Sequence, residues 1–186
     1  MNDEVFRQTV HFLMGVLGAA ILITVQPRTA LIFLGVVLFI GFAVQDILTR
    51  GYRIPALVVL VDEAERRGKV PMKGGIAYAI SALLCYTAFG PFYTAIGLVT
   101  LGVLDSVSTL VGIRVGKHTL YRKKSVEGTL SGIILTFAIL AFFIPPWTAL
   151  FVAVVAGVVE AFSPIDDNLI IPLATCIVLA LCCFTV

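Results

Sequence analysis

The stretch from Gly75 to Gly112 reads GIAYAISALLCYTAFGPFYTAIGLVTLGVLDSVSTLVG and carries one charged residue, Asp105. A single unbroken helix of that length would overshoot a bilayer, because the hydrocarbon core is about 30 Å thick and takes about 20 residues at a rise of about 1.5 Å each. The Gly90-Pro91 pair divides the stretch, since glycine ends helices and proline cannot continue one. It therefore predicts two short crossing helices, Gly75–Gly90 and Phe92–Gly112, joined by a tight turn. This reading sets the orientation of everything else. If the first half did not cross, the basic residues of the chain would split about evenly between two compartments.

Outward from this hairpin the same apolar texture recurs at Val10–Val25, Thr29–Leu48, Gly128–Ile144, Trp147–Phe162 and Leu169–Val186. A chain that is 60% hydrophobic and 13% charged, with a mean hydropathy of +1.08, cannot present the roughly 25–35% charged surface of a soluble domain. The expected fold is all-α: a polytopic membrane protein of about seven transmembrane helices, with residues 1–186 forming one integral membrane domain. Asp3, Glu4 and Arg7 precede the first segment in place of a basic leader, so that segment is expected to be a retained helix.

Seven crossings place twelve of the 13 Lys and Arg residues and all 11 Asp and Glu on one side, with Arg28 alone opposite. By the positive-inside rule the charged side is cytoplasmic and the C-terminus lies outside. The membrane would be the cell membrane of a prokaryote or an ER-type membrane of a eukaryote. The net charge of +2 points to no nucleic-acid partner. Ile54–Val61 is too short to span and runs into Asp62-Glu63-Ala64-Glu65-Arg66-Arg67, which predicts an interfacial helix with Pro55 in its first turn. Cys85, Cys176, Cys182 and Cys183 lack ligand spacing and read as packing residues rather than disulfides or a metal site.

The chemistry is expected where ionisable groups sit in costly places. Asp46, Asp105 and Glu160 lie inside or at the ends of apolar helices, all toward the charged side, where a carboxylate calls for a wet cavity, a cation or a metal. Around Asp105 the chain runs Asp105-Ser-Val-Ser-Thr-Leu-Val-Gly112-Ile-Arg114-Val-Gly116-Lys117. The carboxylate and hydroxyls suit Mg²⁺ and the cations suit phosphate oxygens, while the same Ser, Thr and Gly also serve helix packing. Arg122-Lys123-Lys124 then precede Ser125-Val126-Glu127-Gly128-Thr129, with Ser125 as N-cap candidate. Three cations at a helix N-terminus make an anion site; they also serve simply to hold orientation. Asp166-Asp167-Asn168 between two apolar helices offers oxygen ligands for a hard cation, a proton acceptor, or the cap of the last helix.

Taken together, Asp105…Gly112…Gly116-Lys117, Lys124-Ser125-Val126-Glu127-Gly128-Thr129 and Asp166-Asp167-Asn168-Leu-Ile-Ile-Pro172 resemble the CTP-dependent polyprenol and lipid kinases, the group of dolichol kinase, phytol kinase and yeast-type diacylglycerol kinase. The likeness runs from about Arg7 to Pro172 and is strongest from Asp105 onward. Near the start, Glu4…Arg7…His11 is similar to the group's acid, base and His pattern, with Gln8 where a second base is common. The resemblance implies transfer of the γ-phosphate of CTP to a membrane lipid alcohol. Mg²⁺ would be held by Asp105, Asp166, Asp167 and Asn168. The nucleotide would be bound by Arg114, Gly116, Lys117, Arg122, Lys124, Ser125, Gly128 and Thr129, with Glu127 and Glu160 orienting metal or cations, and His11 and Asp46 as further candidates.

Phosphatidate cytidylyltransferases share the first two segments within the wider superfamily. They typically end in a Pro-Gly-His-Gly-Gly…Asp-Arg-x-Asp signature, which this chain replaces with Asp166-Asp167-Asn168. A CDP-lipid-forming cytidylyltransferase is the second reading, and a non-enzymatic lipid transporter or binding protein the third. The last predicts polar residues through the full membrane thickness, whereas the outer half of this chain is nearly free of charge.

Overall fold

A computed structural model describes residues 2–52, 54, 55, 70–121 and 124–183. The expected interfacial helix at Ile54–Val61 falls largely outside the described residues, as do Arg122 and Lys123. The described residues form six helices: α1 Asn2–Thr24, α2 Pro27–Thr49, α3 Lys73–Val115, α4 Val126–Leu140, α5 Pro146–Phe162 and α6 Asp167–Cys183. Between α3 and α4 lie two short strands, β1 Thr119–Tyr121 and β2 Lys124–Ser125, paired antiparallel with Thr119 opposite Ser125 and Tyr121 opposite Lys124. This ribbon departs from the all-helical expectation, because cross-strand pairing of two- and three-residue segments leaves no periodic trace in a sequence.

α3 is two rods rather than one. Gly90 inside it has φ 83° and ψ −179°, a conformation only glycine adopts without strain, and Pro91 follows. In a straight helix Tyr78 and Leu98 would stand about 30 Å apart, yet Tyr78 and Leu98 both border the same face of Gly18 on α1. The helix therefore folds back at Gly90 into two arms, 73–89 and 91–115, as the Gly-Pro pair predicts. Counting these arms, helical rods occupy all seven apolar segments of the sequence. By length and composition, three helices are long and apolar enough to cross a membrane: α1 from Glu4, α2 and α3. The other three, with 15, 17 and 17 residues, fall short of the usual 20, since 15 residues rise only about 22 Å.

The second arm of α3 is the hub. Leu98, Leu101, Val103 and Leu104 on it are buried, and α3 packs against α1, α2, α4 and α6. Glycines set the closest approach: a Cβ on Gly15 would stand 2.7 Å from Leu98 O and 3.0 Å from Gly102 Cα, so α1 and the arm meet backbone to backbone. Small residues take this role between helices in lipid, where packing rather than the hydrophobic effect holds helices together. Hydroxyls tie α1 to both arms, Tyr78 Oη of the first donating to Met14 O at 2.9 Å and Ser106 Oγ of the second to Gln8 O at 2.9 Å. Outward, Phe39, Phe142 and Trp147 are among many exposed large apolar side chains, the surface of a protein solvated by lipid. Cys85 and Cys176 are buried free thiols in the core.

α1 and α4 both run antiparallel to the second arm of α3. His11 meets Asp105 where Gly15 meets Gly102, and Gly112 meets Gly128 where Leu104 meets Gly132. The start of α1, the outer ends of both α3 arms, the ribbon, the start of α4, the end of α5 and the start of α6 therefore gather at one end of the bundle. The turns at Gln26–Pro27, Gly90–Pro91 and Pro145–Pro146 form the other.

Candidate active site

Three carboxylates from three helices converge at the charged end. Asp105 projects from the second arm of α3, Glu160 from the last turn of α5 and Asp167 from the first turn of α6, with one oxygen of each lying within 4.8 Å of the others. Glu160 is 2% exposed, Asp105 and Asp167 are partly covered, and burying three acids this close demands a cation. Lys124, delivered by β2, supplies one. Its Nζ donates to Glu160 Oε1 and, at 3.2 Å, to Asp167 Oδ2. Ser108 Oγ, one helical turn beyond Asp105, donates to Glu160 Oε1 at 2.8 Å.

Burial alone would lower the pKa of Lys124, but Asp167, Glu160 and Asp105 outweigh it and hold the ammonium above its usual value. Asp167, preceding the apolar run of α6, moves the opposite way from a normal ion-paired acid. Burial pushes its carboxyl up to about 6, Lys124 pulls it down, and the neighbouring Asp105 and Glu160 push it up again. One lysine does not satisfy the cluster: among the described residues Glu160 Oε2 is buried without a hydrogen-bond partner, as are His11 Nδ1, Gln8 Oε1 and Thr129 Oγ1. His11 Nδ1 faces Asp105 Oδ2 at 3.8 Å, too far for a hydrogen bond. An all-oxygen donor set with an orphaned buried carboxylate oxygen fits a hard divalent cation.

Glu127 closes the ribbon onto α4 instead of joining the trio. His118 Nδ1 lies 2.6 Å from its Oε1, and the backbone N–H groups of Lys117 and His118 donate to the same carboxylate at 3.1 Å and 3.3 Å. The bond to His118 and these backbone donors hold it down at about 2. Ser125 caps α4 as expected, its Oγ accepting from Gly128 N at 3.1 Å. A Cβ on Gly112 would lie 3.0 Å from that Oγ and one on Gly128 would lie 2.9 Å from it, and a Cβ on Gly116 would lie 2.8 Å from it. These glycines let the end of α3 and the start of α4 close around Ser125, the packing use of small residues. Arg114 and Lys117 are exposed beside them, Thr129 is buried behind them, and Arg122 lies outside the described residues.

The structure separates the residues of the last loop. Asp166 turns from the trio to Lys73, 3.5 Å away, and its Oδ1 accepts from Asn168 N at 3.3 Å. Asn168 pins α6 to the first arm of α3: its Nδ2 donates to Gly74 O at 3.3 Å, and its carbonyl accepts from Ser81 Oγ at 2.9 Å. Of the expected ligands Asp105, Asp166, Asp167 and Asn168, the structure brings Asp105 and Asp167 together, with Glu160 beside them, and places Asp166 and Asn168 elsewhere, because the helical start at Asp167 sends neighbouring side chains about 100° apart. Asp46 does not converge with them; it pairs with Arg50 at 2.7 Å on an exposed face of α2. His118 and Lys73 were missed in the sequence. Neither lies near its acid along the chain, and only the ribbon and the α3–α6 packing bring the pairs together.

No family model matches the chain, and no solved structure does. It is 34% identical over 87 residues to the dolichol kinase sec59 of Schizosaccharomyces pombe, a match covering 42% of this chain and 17% of that much longer protein. It is 32% identical over 173 residues to the "Uncharacterized protein MJ1137" of Methanocaldococcus jannaschii, covering 91% of this chain and 88% of that one. A likeness of that depth across nearly both full lengths means that this chain belongs to the same family as the Methanocaldococcus jannaschii protein.

Proposed function

We propose that the protein is a seven-span membrane kinase whose charged end faces the cytosol and transfers the γ-phosphate of CTP to the hydroxyl of a lipid alcohol, with Mg²⁺. The observation that carries this reading is the meeting of Asp105, Glu160 and Asp167 beside Lys124 at one end of an otherwise apolar bundle. The partial likeness to a dolichol kinase supports it independently. CTP and the alcohol come from the resemblance; the trio supports the use of polyphosphate and a divalent ion.

Phosphoryl transfer needs positioning and neutralised charge more than covalent machinery. Asp105, Glu160 and Asp167 would hold Mg²⁺, which supplies charge neutralisation for the nucleotide's phosphates when bound. Lys124 would gain a third acceptor in a phosphate oxygen, and the exposed Arg114 and Lys117 extend the cationic rim toward the cytosol. The oxygen of the alcohol forms a new bond to the γ-phosphorus as the bond from that phosphorus to the β-bridging oxygen breaks. The hydroxyl proton passes to a carboxylate at the start of α6, and CDP leaves to the cytosol. Purified protein given CTP labelled at the γ- or the α-phosphate tests this directly. Label reaching the lipid from the γ position alone supports the kinase, while label from the α position with released pyrophosphate overturns it in favour of a cytidylyltransferase.

A further inference from the structure

A groove of about 490 Å³ lies between α2, the first arm of α3 and the α5–α6 turn, at the end of the bundle that carries the carboxylate trio. Phe42 on α2, Ile76, Ala77 and Ile80 on the arm, and Ile165 on the turn make its walls. Among the described residues the charged ones that line it are Lys73 and Asp166, which face each other at 3.5 Å, and Gln45 on α2 is a further polar one. Asp166 directly precedes Asp167 of the trio, so the polar end of the groove and the metal-binding carboxylates are one residue, about 3.8 Å of backbone, apart. The size is that of a small-molecule site, and apolar walls with a few convergent polar groups are the usual composition of one.

Building on the kinase reading, we propose that this groove holds the apolar tail of the acceptor lipid alcohol, with its hydroxyl end at the Lys73–Asp166 pair. Three features select a lipid alcohol over other occupants. The walls are mostly hydrocarbon, the groove lies beside α2, whose apolar surface is largely exposed, and the facing Lys73 and Asp166 offer a donor and an acceptor, which match a hydroxyl. Lys73 then faces the new phosphate after transfer, giving the product a counter-charge that the substrate lacks. Asp166, left out of the trio, gains a role as the residue that positions the hydroxyl.

The test uses full-length protein in lipid nanodiscs and an isoprenoid alcohol carrying a diazirine on its tail. Irradiation should label Phe42, Ile76, Ala77 or Ile80, and excess unlabelled alcohol should abolish the labelling. Labelling on another face of the bundle, or labelling displaced by phospholipid but not by alcohol, overturns the groove. Ala77→Phe should raise the KM for the alcohol about tenfold, equivalent to about 1.4 kcal/mol, with the KM for CTP unchanged. Ile165→Trp narrows the opposite wall from a half-exposed turn and should act in the same direction should Ala77→Phe fail to fold. An unchanged KM for the alcohol in a folded variant overturns the proposal. The two readings fail differently. Groove labelling without γ-phosphate transfer sustains the groove and sinks the kinase, while transfer with labelling elsewhere does the reverse.

Discussion

The two ends of the bundle reverse the same helices by opposite means. At one end Gly90-Pro91 and Pro145–Pro146 turn the chain with conformation alone: a glycine in a region closed to other residues, and prolines that start the next helix. At the other, α3 hands over to α4 through a strand pair, a Ser125 cap and the Glu127–His118 clamp, and α5 hands over to α6 through Asp166–Asn168. A turn made of backbone geometry is indifferent to what surrounds it. A turn made of charges must be closed by partners, and among the described residues Glu160 Oε2 has none.

That contrast breaks most visibly in activity. On the proposed reading, Asp105→Ala and Glu160→Gln should each lower CTP-dependent phosphoryl transfer at least about a thousandfold, since each removes a carboxylate proposed to hold the Mg²⁺ that neutralises the phosphates. Measured in the same γ-label assay, Gly90→Ala at the opposite end should leave kcat within about twofold of the parent. Retained activity in both acid variants would make the two ends functionally alike.

The next largest effect is on stability. Lys124→Met strips the trio of its internal cation and leaves like charges half-buried together, which should cost about 2 kcal/mol without divalent ions. Saturating Mg²⁺ should return most of the loss in thermal unfolding midpoint, because the ion takes over the neutralisation. A loss that is the same with and without Mg²⁺ would mean that the three acids do not bind a cation.

Proton linkage sharpens the same point. The carboxyl of Asp167 titrates near 6 in the fold, above its ordinary value, so the fold binds this proton more tightly than the unfolded chain does. Its stabilising effect is present below the ordinary carboxylate range and fades as pH rises through 6. Metal binding competes with that proton and strengthens over the same interval. The metal-free protein should thus unfold at lower temperature at pH 7 than at pH 5, while the Mg²⁺-induced rise in midpoint grows. Equal Mg²⁺ effects at the two pH values would count against Asp167 as a ligand.

At the opposite end, Gly90→Ala should destabilise by about 1 kcal/mol, since alanine is strained at φ 83°. Pro91→Ala keeps the turn's glycine and should lower the midpoint less. The ranking is read in thermal unfolding and inverts if proline, rather than glycine, makes the reversal.

How much of this was legible depends on the range of the interaction. The seven apolar rods, the break at Gly90-Pro91 and the Ser125 cap are local, written in hydropathy and in residues whose conformational preferences act within a few positions. That Asp105 and Glu160 sit in costly positions was also legible, because an acid in an apolar run stands out whatever it touches. Which acids meet was not. Adjacent Asp166 and Asp167 look interchangeable in sequence, and only the starting point of α6 sends one to Lys124 and the other to Lys73. The short strands were invisible for a related reason: their pairing joins residues through hydrogen bonds that carry no periodicity.

Asp46 provides the finest test, because it is an acid near the charged end that the structure leaves outside the cluster, on an exposed face. The sequence groups it with Asp105 and Glu160 by depth, yet its side chain is 59% exposed and its partner Arg50 sits one turn away on the same helix. Exposed pairs of that spacing contribute about 0.5 kcal/mol or less, since water screens them and two long side chains lose freedom in forming them. Asp46→Asn should consequently shift the unfolding midpoint by less than any other substitution named here and leave both KM values unchanged. A marked rise in the KM for the lipid alcohol would instead tie Asp46 to the groove through Gln45, its neighbour on α2. The functional end would then extend past the trio along the helix that borders the lipid.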